Sequence, residues 1–264
     1  MQDIGGLRAI VGTMGKVRQL EQAYLQGNFQ HKMISSKDYI ARPKSDGYRS
    51  IHLIYRYQNP RASFFDGLLL ELQLRTRLQH AWATAVETMG TFLGQALKSG
   101  QGEGQWRSFF ELTGSAIAHL ENSPPVPGYE SLSRDEIFMR VAQSEALLKV
   151  LEKLRGFSIA TEKITTEKGQ GSFHLVVLNS IDKSVLIRPY PITRLEQANA
   201  DYAIVEKQAQ SGEPVEAVLV SAGSIEALKK AYPNYFLDTH EFILQIERVI
   251  EEAGVSLETT PGGT

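Results

Sequence analysis

Short stretches in the first half of the chain alternate apolar and polar side chains with a period of two, and the segments between them repeat apolar residues every three or four positions. Successive strand side chains point to opposite faces, so the first pattern predicts strands near Gly6–Gly12, Met33–Ile40, Ser50–Tyr57 and Leu68–Thr76. The second predicts helices near Val17–Gln26, Arg77–Leu97 and Gln105–Leu120. In the long helix Leu78, Ala81, Trp82, Ala85, Met89 and Phe92 form the apolar stripe, with His80, Thr84 and Glu87 opposite. Further on, Ile137, Val141, Leu147, Leu148 and Leu151 predict one helix over Arg134–Arg155. Strands at Ser172–Asn179 and Ser184–Arg188 flank the turn-forming Asn179–Asp182. Thr193 and Glu196 have the spacing of a capping box that opens a helix. A strand at Val215–Ser221 and helices near Ser224–Ala231 and Thr239–Ala253 complete the chain. The fold class is α+β: a mixed β-sheet flanked by helices, then a C-terminal α/β region.

Asn122–Gly128 holds three prolines and a glycine, which cannot continue a helix or sit inside a central strand. It predicts a domain over 1–121, a Pro-rich linker over 122–133 and an α+β region over 134–264 with a regulatory or assembly role. A second glycine-rich stretch, Lys98–Gly104, follows a helix rather than a strand and so lacks the setting of a phosphate-cradling loop. Tyr232–Phe236 reads as a core-packed aromatic turn, and the tail from Glu258 as frayed.

Composition narrows the class of function. At 264 residues the chain can bury a sizeable core, and 42% hydrophobic with 22% charged residues is globular composition. A formal charge of −2 does not point to nucleic-acid or membrane binding through bulk charge. Cysteine is absent, which excludes a disulfide scaffold, a thiolate zinc site and a Cys nucleophile, and suits the cytoplasm. No apolar run reaches the roughly 20 residues of a bilayer span, and the N-terminus lacks the layout of a secretory signal.

Candidate chemistry concentrates in three places. In Leu68–Thr76 the alternation sets Leu70, Leu72 and Leu74 on one face and Glu71, Gln73 and Arg75 on the other. The preceding strand sets Ser50, His52 and Arg56 against Ile51, Leu53 and Tyr55. Two polar rows carrying a carboxylate, an amide, an imidazole and guanidinium groups can jointly line a cleft. The loop Ile40–Ser50 bends at Pro43 and Asp46-Gly47 and displays Arg42, Lys44, Tyr48 and Arg49. Cations there suit phosphates, and an aromatic ring between them suits a base. Asp3 precedes Gly5-Gly6-Leu7-Arg8, a carboxylate beside close-approach glycines, as a magnesium-bridged phosphate needs. His174 and His240 are far apart in sequence and suggest no metal site.

Together, Asp3–Arg8, Lys37–His52 and Glu71–Thr76 running into His80–Trp82 resemble, in order and spacing, the RelA/SpoT alarmone synthetase family over roughly residues 1–120. The resemblance implies a nucleotidyltransferase-like synthetase domain that uses Mg²⁺ to transfer the β,γ-pyrophosphoryl group of ATP to the 3′-OH of GDP or GTP, making (p)ppGpp. Carried over by position, it implies Glu71 as the carboxylate that activates the 3′-OH, and Asp3 with Glu71 as metal ligands. Arg8 would stack on adenine and Tyr48 on guanine, with Lys44, His52 and Gln73 lining the guanine-nucleotide site. Such a transfer needs in-line alignment, charge neutralisation and a carboxylate near the attacking hydroxyl. The His-Asp tandem of the family's hydrolase domain is absent, so synthesis without metal-dependent hydrolysis is expected.

Three positions depart from the family pattern. Only Met1 and Gln2 precede Asp3, where the family carries basic residues that grip the ATP phosphates, so either the true start is expected upstream, with Met1 an internal methionine, or the chain is a truncated remnant. Glu87 stands within one residue of the place of a functional Glu on the helix after the catalytic strand. Asp46 stands where Asn is frequent, which keeps the turn and loses an amide donor. Two other readings use the same residues. One is transfer to the 3′ end of tRNA, served by the cations Lys32, Lys37, Arg42, Lys44 and Arg49. The other is a guanine-nucleotide-binding regulatory module with impaired catalysis. A homo-oligomer is compatible with each, and no membrane partner is expected.

Overall fold

The computed structural model describes residues 5–93, 103–166, 171–179, 181–182, 184–231 and 235–254. Asp3, Tyr232–Asn234, the tail from Glu258 and most of Lys98–Gly104 lie outside them. The first sheet joins β1 (Gly5–Val11), β2 (Lys32–Asp38), β3 (Ile51–Arg56) and β4 (Leu69–Thr76) in the order β1-β4-β3-β2. β4 runs parallel to β1 and antiparallel to β3, and β3 antiparallel to β2, so the sheet is mixed.

Helix α1 (Met14–Gln26) starts three residues before the predicted Val17, because Thr13 is extended and its hydroxyl accepts the Lys16 amide at 3.3 Å. Val17 packs on one face of the sheet against Ile51, Leu53, Tyr55, Leu72 and Leu74, with Met14, Leu20 and Tyr24 beside it. Alternation therefore leaves Glu71, Gln73 and His52 on the opposite face.

Helix α2 (Arg77–Leu93) follows β4, and α3 (Glu103–Leu120) follows α2. The polar side expected for α2 is mostly a second packing face: His80 and Thr84 are buried like Ala81, Trp82 and Ala85, while Glu87 is exposed.

The single helix expected over Arg134–Arg155 is two, α4 (Arg134–Leu148) and α5 (Val150–Thr166). Lys149 stands between them at φ 53. The buried Glu145 carboxylate accepts the amides of Val150 and Leu151, each at 3.0 Å, so the last turn of one helix caps the next. Apolar spacing runs through the break, which hides it from periodicity. A capping box does occur, but at α4: the Ser133 amide donates to Glu136 Oε2 at 2.8 Å, and the Glu136 amide to Ser133 Oγ at 3.3 Å. At Thr193–Glu196 a 3-10 turn over Ile192–Arg194 comes first, and α6 (Leu195–Gln210) has Arg194 as its N-cap without a side-chain bond.

The second sheet joins β5 (Phe173–Asn179), β6 (Ser184–Tyr190) and β7 (Val215–Ser221) in the order β6-β5-β7, all antiparallel. Leu175, Tyr190, Ala217 and Leu219 pack with Ala198 of α6. α5 approaches β5 so closely that a Cβ on Gly156 would meet Leu178 Cδ2 at 2.4 Å. α7 (Ala222–Ala231) and α8 (Tyr235–Glu252) follow. Both sheets with their helices make the protein α+β. No helix among the described residues is long and apolar enough to cross a membrane.

The described residues of 1–80, 108–142 and 249–264 gather in one compact unit, and those of 81–107 and 143–248 in another. The units do not part at the Pro-rich 122–133. Val126 is fully buried with its amide on Ser115 Oγ at 3.1 Å, and Tyr129 OH donates to Glu111 Oε2 at 3.2 Å. α3 is closed by Asn122 at φ 50, with the Ser123 amide on Ala118 O at 2.9 Å, and the Pro-rich chain then packs along it.

Candidate functional site

Register builds the site. Gly6 of β1 stands opposite Glu71 of β4 and Arg8 opposite Gln73, while β3 sets His52 opposite Gln73 and Ile54 opposite Glu71. β2 places Lys37 beside His52, and this depends on a bulge between Met33 and Ser35. Continued from the Met33–Tyr55 pair without the extra residue, β2 would set Lys37 opposite Ile51 on the core side.

Five of the predicted residues join in one hydrogen-bonded chain. Arg8 Nε donates to Gln73 Oε1 at 3.4 Å, and Gln73 Nε2 to Glu71 Oε2 at 2.8 Å. Glu71 Oε1 lies 2.6 Å from His52 Nδ1, and His52 Nε2 lies 2.9 Å from Tyr48 OH. An ionised carboxylate only accepts, so Nδ1 carries the proton and Nε2 accepts the Tyr48 hydroxyl. A neutral imidazole satisfies both partners. Burial lowers the His52 pKa, the charge and hydrogen bond of Glu71 oppose that, and Lys44 and Arg75 reinforce it, with a net shift downward. Burial likewise pushes the Tyr48 phenol up, against Arg75 and Ser50, so it remains an O–H donor.

The loop between β2 and β3 is held at both ends. Asp38 Oδ1 accepts the amides of Ile40 and Ala41, each at 2.9 Å, and Oδ2 takes Arg18 of α1 at 2.6 Å. At the far bend the Gly47 amide donates to Lys44 O at 3.0 Å, and the Tyr48 amide to Asp46 Oδ1 at 2.9 Å. Gly47 has φ 93, which a side chain would strain. Behind it, α3 presents Gly114, where a Cβ would meet Gly47 Cα at 3.2 Å and its carbonyl oxygen at 3.3 Å.

Two cations, Arg49 read as displayed on the loop and Arg75 read as part of the cleft-lining polar row, are inside. Arg49 is 2% exposed, because Tyr48 turns to the site and its neighbour turns in, where NH1 reaches Ser123 Oγ at 3.5 Å. Burial lowers the Arg49 pKa to about 10 against the pull of Glu121, so it stays charged at neutral pH. Arg75 is 1% exposed, at the end of β4, and its charge acts through the protein on Tyr48 and His52.

A cavity of about 210 Å³ opens beside this chain, lined by Lys37, Tyr39, Lys44, His52, Ile54, Leu69 and Glu71. From sequence Lys37 stands only among the cations of the tRNA reading, and Tyr39 is not singled out. The pairing of Lys37 with His52 depends on the bulge, and a bulge leaves no mark in a hydropathy pattern. Among the described residues no three His, Asp or Glu side chains converge. A cation here would have Glu71 and the phosphate oxygens of a bound nucleotide. Each Glu71 oxygen accepts one hydrogen bond and keeps lone pairs, a donor set that fits Mg²⁺ held by one or two carboxylates and phosphates.

Residues 1–90 match the family model for a region found in RelA / SpoT proteins. Over this stretch the chain is similar to RelA/SpoT proteins. Arg8, Lys44, Tyr48, His52, Glu71 and Gln73 all lie in it, as does Asp3. GTP pyrophosphokinase YjbM of Bacillus subtilis (strain 168) is 36% identical over 84 residues, which are 32% of this chain and 39% of that protein. GTP pyrophosphokinase YwaC of the same organism is 30% identical over 84 residues, 32% of this chain and 40% of its own. The chain thus spans about two fifths of the length of these curated relatives. Among solved structures, small alarmone synthetase 1 from Bacillus subtilis bound to its product pppGpp covers 46% of this chain and 60% of its own, at 27% identity and a TM-score of 0.40. The RelA/SpoT match ends within α2, before α3 begins.

Proposed function

We propose that the protein is a (p)ppGpp synthetase that transfers the β,γ-pyrophosphoryl group of ATP to the 3′-OH of GDP or GTP and releases AMP. The hydrogen-bonded chain from Arg8 to Tyr48, whose Glu71 and His52 line the cavity, carries this reading. A new bond forms between the acceptor 3′ oxygen and the β-phosphorus of ATP, the bond from that phosphorus to the AMP oxygen breaks, and the hydroxyl proton goes to Glu71.

Glu71 is the base. Gln73 Nε2 and His52 Nδ1 hold its two oxygens from different sides, which fixes the carboxylate plane at the cavity wall. Neutral His52 links that carboxylate to Tyr48, whose ring serves as a stacking surface for guanine. Lys44 and Lys37 line the cavity and would meet the acceptor's phosphates, and Arg8 would offer a guanidinium plane to adenine. Mg²⁺, when bound, neutralises phosphate charge, and Glu71 with Asp3 would hold it. Action in the cytoplasm completes the reading.

The test incubates the purified chain with Mg²⁺, GDP or GTP, and ATP labelled in its terminal phosphates, then separates nucleotides by chromatography. Labelled ppGpp or pppGpp is expected from the parent, with Glu71→Gln slower by about 10²–10⁴-fold, the usual worth of a general base. GDP binding without labelled product would overturn the reading in favour of a non-catalytic module, and label on tRNA alone would overturn it in favour of an RNA acceptor.

A further inference from the structure

We propose that Tyr39 is a positioning residue for Lys44: its ring and that of Tyr48 form a corner that holds the Lys44 ammonium at the cavity wall. This deepens the synthetase reading and rests on it for the identity of the ligand, a guanine nucleotide. The Lys44 Nζ lies 4.8 Å from the centre of the Tyr39 ring and 5.0 Å from that of Tyr48. The rings stand 6.2 Å apart at 68°, so they bound the ammonium on two sides. Tyr39 also meets His52 edge-on, at 5.2 Å and 89°.

The Tyr39 ring sits on a rigid mount. Its amide donates to Ser50 O at 3.0 Å, closing the base of the loop, and the two amides after it are capped by Asp38. Lys44, by contrast, is a flexible side chain from the far bend. Ordering such a side chain only when ligand arrives weakens binding. Two ring faces order it beforehand through the attraction of the cation for the ring quadrupole.

The arrangement also has a consequence for a stacked base. A guanine laid on Tyr48 competes with the ammonium for that ring, and Tyr39 is the surface that remains. The charge then stays near the cavity, available to the acceptor's phosphates, instead of swinging into solvent. A ring is what this role needs and the hydroxyl is not, so phenylalanine replaces Tyr39 and leucine does not.

The experiment has two readouts on the whole chain. Proton NMR of isotopically labelled protein reports the Lys44 ε-methylene, which a ring face shifts upfield, and calorimetry reports the Kd for GDP. In the parent and in Tyr39→Phe the upfield shift is expected to persist, and the two Kd values to agree. In Tyr39→Leu the shift collapses toward that of a free lysine, and Kd rises about three- to tenfold. In a Lys44→Met background Tyr39→Leu has no further effect on Kd.

An unshifted ε-methylene in the parent overturns the proposal, as does a Tyr39→Leu penalty that persists in Lys44→Met. A parent that binds no GDP and makes no product sinks the synthetase reading instead, and the NMR shift alone then decides whether the aromatic corner holds Lys44.

Discussion

Glu71 and His52 meet at 2.6 Å although neither is the other's direct partner in the sheet, Glu71 standing opposite Ile54 and His52 opposite Gln73. Diagonal neighbours across a strand pair are several ångströms farther apart than direct ones, within reach of a ring and a long carboxylate. The diagonal leaves Gln73 free to take the second carboxylate oxygen from the same strand. One direct pair would have held one oxygen; the diagonal geometry holds both.

That geometry requires a neutral ring. Protonated His52 would have donors on both nitrogens, and Nε2 could no longer accept the Tyr48 hydroxyl. The folded-state pKa lies below the ordinary 6.5, so the unfolded chain takes up the proton first as pH falls. The neutral ring's contribution to stability is thus present above 6.5 and lost as pH drops from there through the folded pKa. Activity should follow: the parent's kcat/KM falls on the acid side of 6.5, and His52→Phe, lacking both hydrogen bonds, is about 10- to 100-fold slower at neutral pH. Steady-state rates between pH 5 and 8 check this, and a level acid limb in the parent would refute it.

Gly114 gives a second, remote handle on the site. A methyl group there faces Gly47 backbone atoms at 3.2 and 3.3 Å, and backbone cannot rotate away as a side chain can. In Gly114→Ala the loop carrying Lys44 and Tyr48 must move by a few tenths of an ångström. The helix itself gains from alanine by about 1 kcal/mol, which offsets much of the steric cost. The expected signature is a KM for the guanine nucleotide raised several-fold, with kcat and the melting temperature little changed. Kinetics and thermal unfolding on one preparation test it; an unchanged KM would mean that α3 does not set the loop.

The polar row of the site was legible in sequence because its cause is local: strand alternation puts Glu71 and Gln73 on one side, and turn chemistry at Asp46-Gly47 turns Tyr48 outward. What sequence missed has non-local causes. Lys37 reaches the site through one extra residue in β2, and Tyr39 through the closing of a loop base on Ser50. Arg49 reads as displayed on the loop and Arg75 as part of the polar row, yet tertiary packing buries both. The Pro-rich stretch read as a linker because proline forbids helix and strand, but it does not forbid packing, and Val126 is buried. The break at Lys149 escaped because the apolar period continues across it and the residue that stabilises it, Glu145, lies four positions upstream.

Glu145 yields the last prediction. It is 5% exposed, and burial raises its pKa to about 7, against the amides of Leu151 and Val150 and the charges of Lys149 and Lys153. For a carboxyl group raised above its ordinary 4.5, the folded protein holds the proton more tightly than the unfolded chain. Its favourable contribution is complete below 4.5 and is lost as pH rises through about 7. The span corresponds to about 3 kcal/mol. Glu145→Gln removes the titration and keeps one acceptor for the two amides of α5, at a constant cost of about 1 kcal/mol. The parent should therefore about match the variant in stability at pH 5 and fall about 2 kcal/mol below it by pH 8. His52 titrates with the opposite slope in both proteins, so the difference between them isolates Glu145. Denaturant unfolding of the pair across that range decides the matter, and parallel pH curves would show that the carboxylate is already ionised in the folded protein at pH 5.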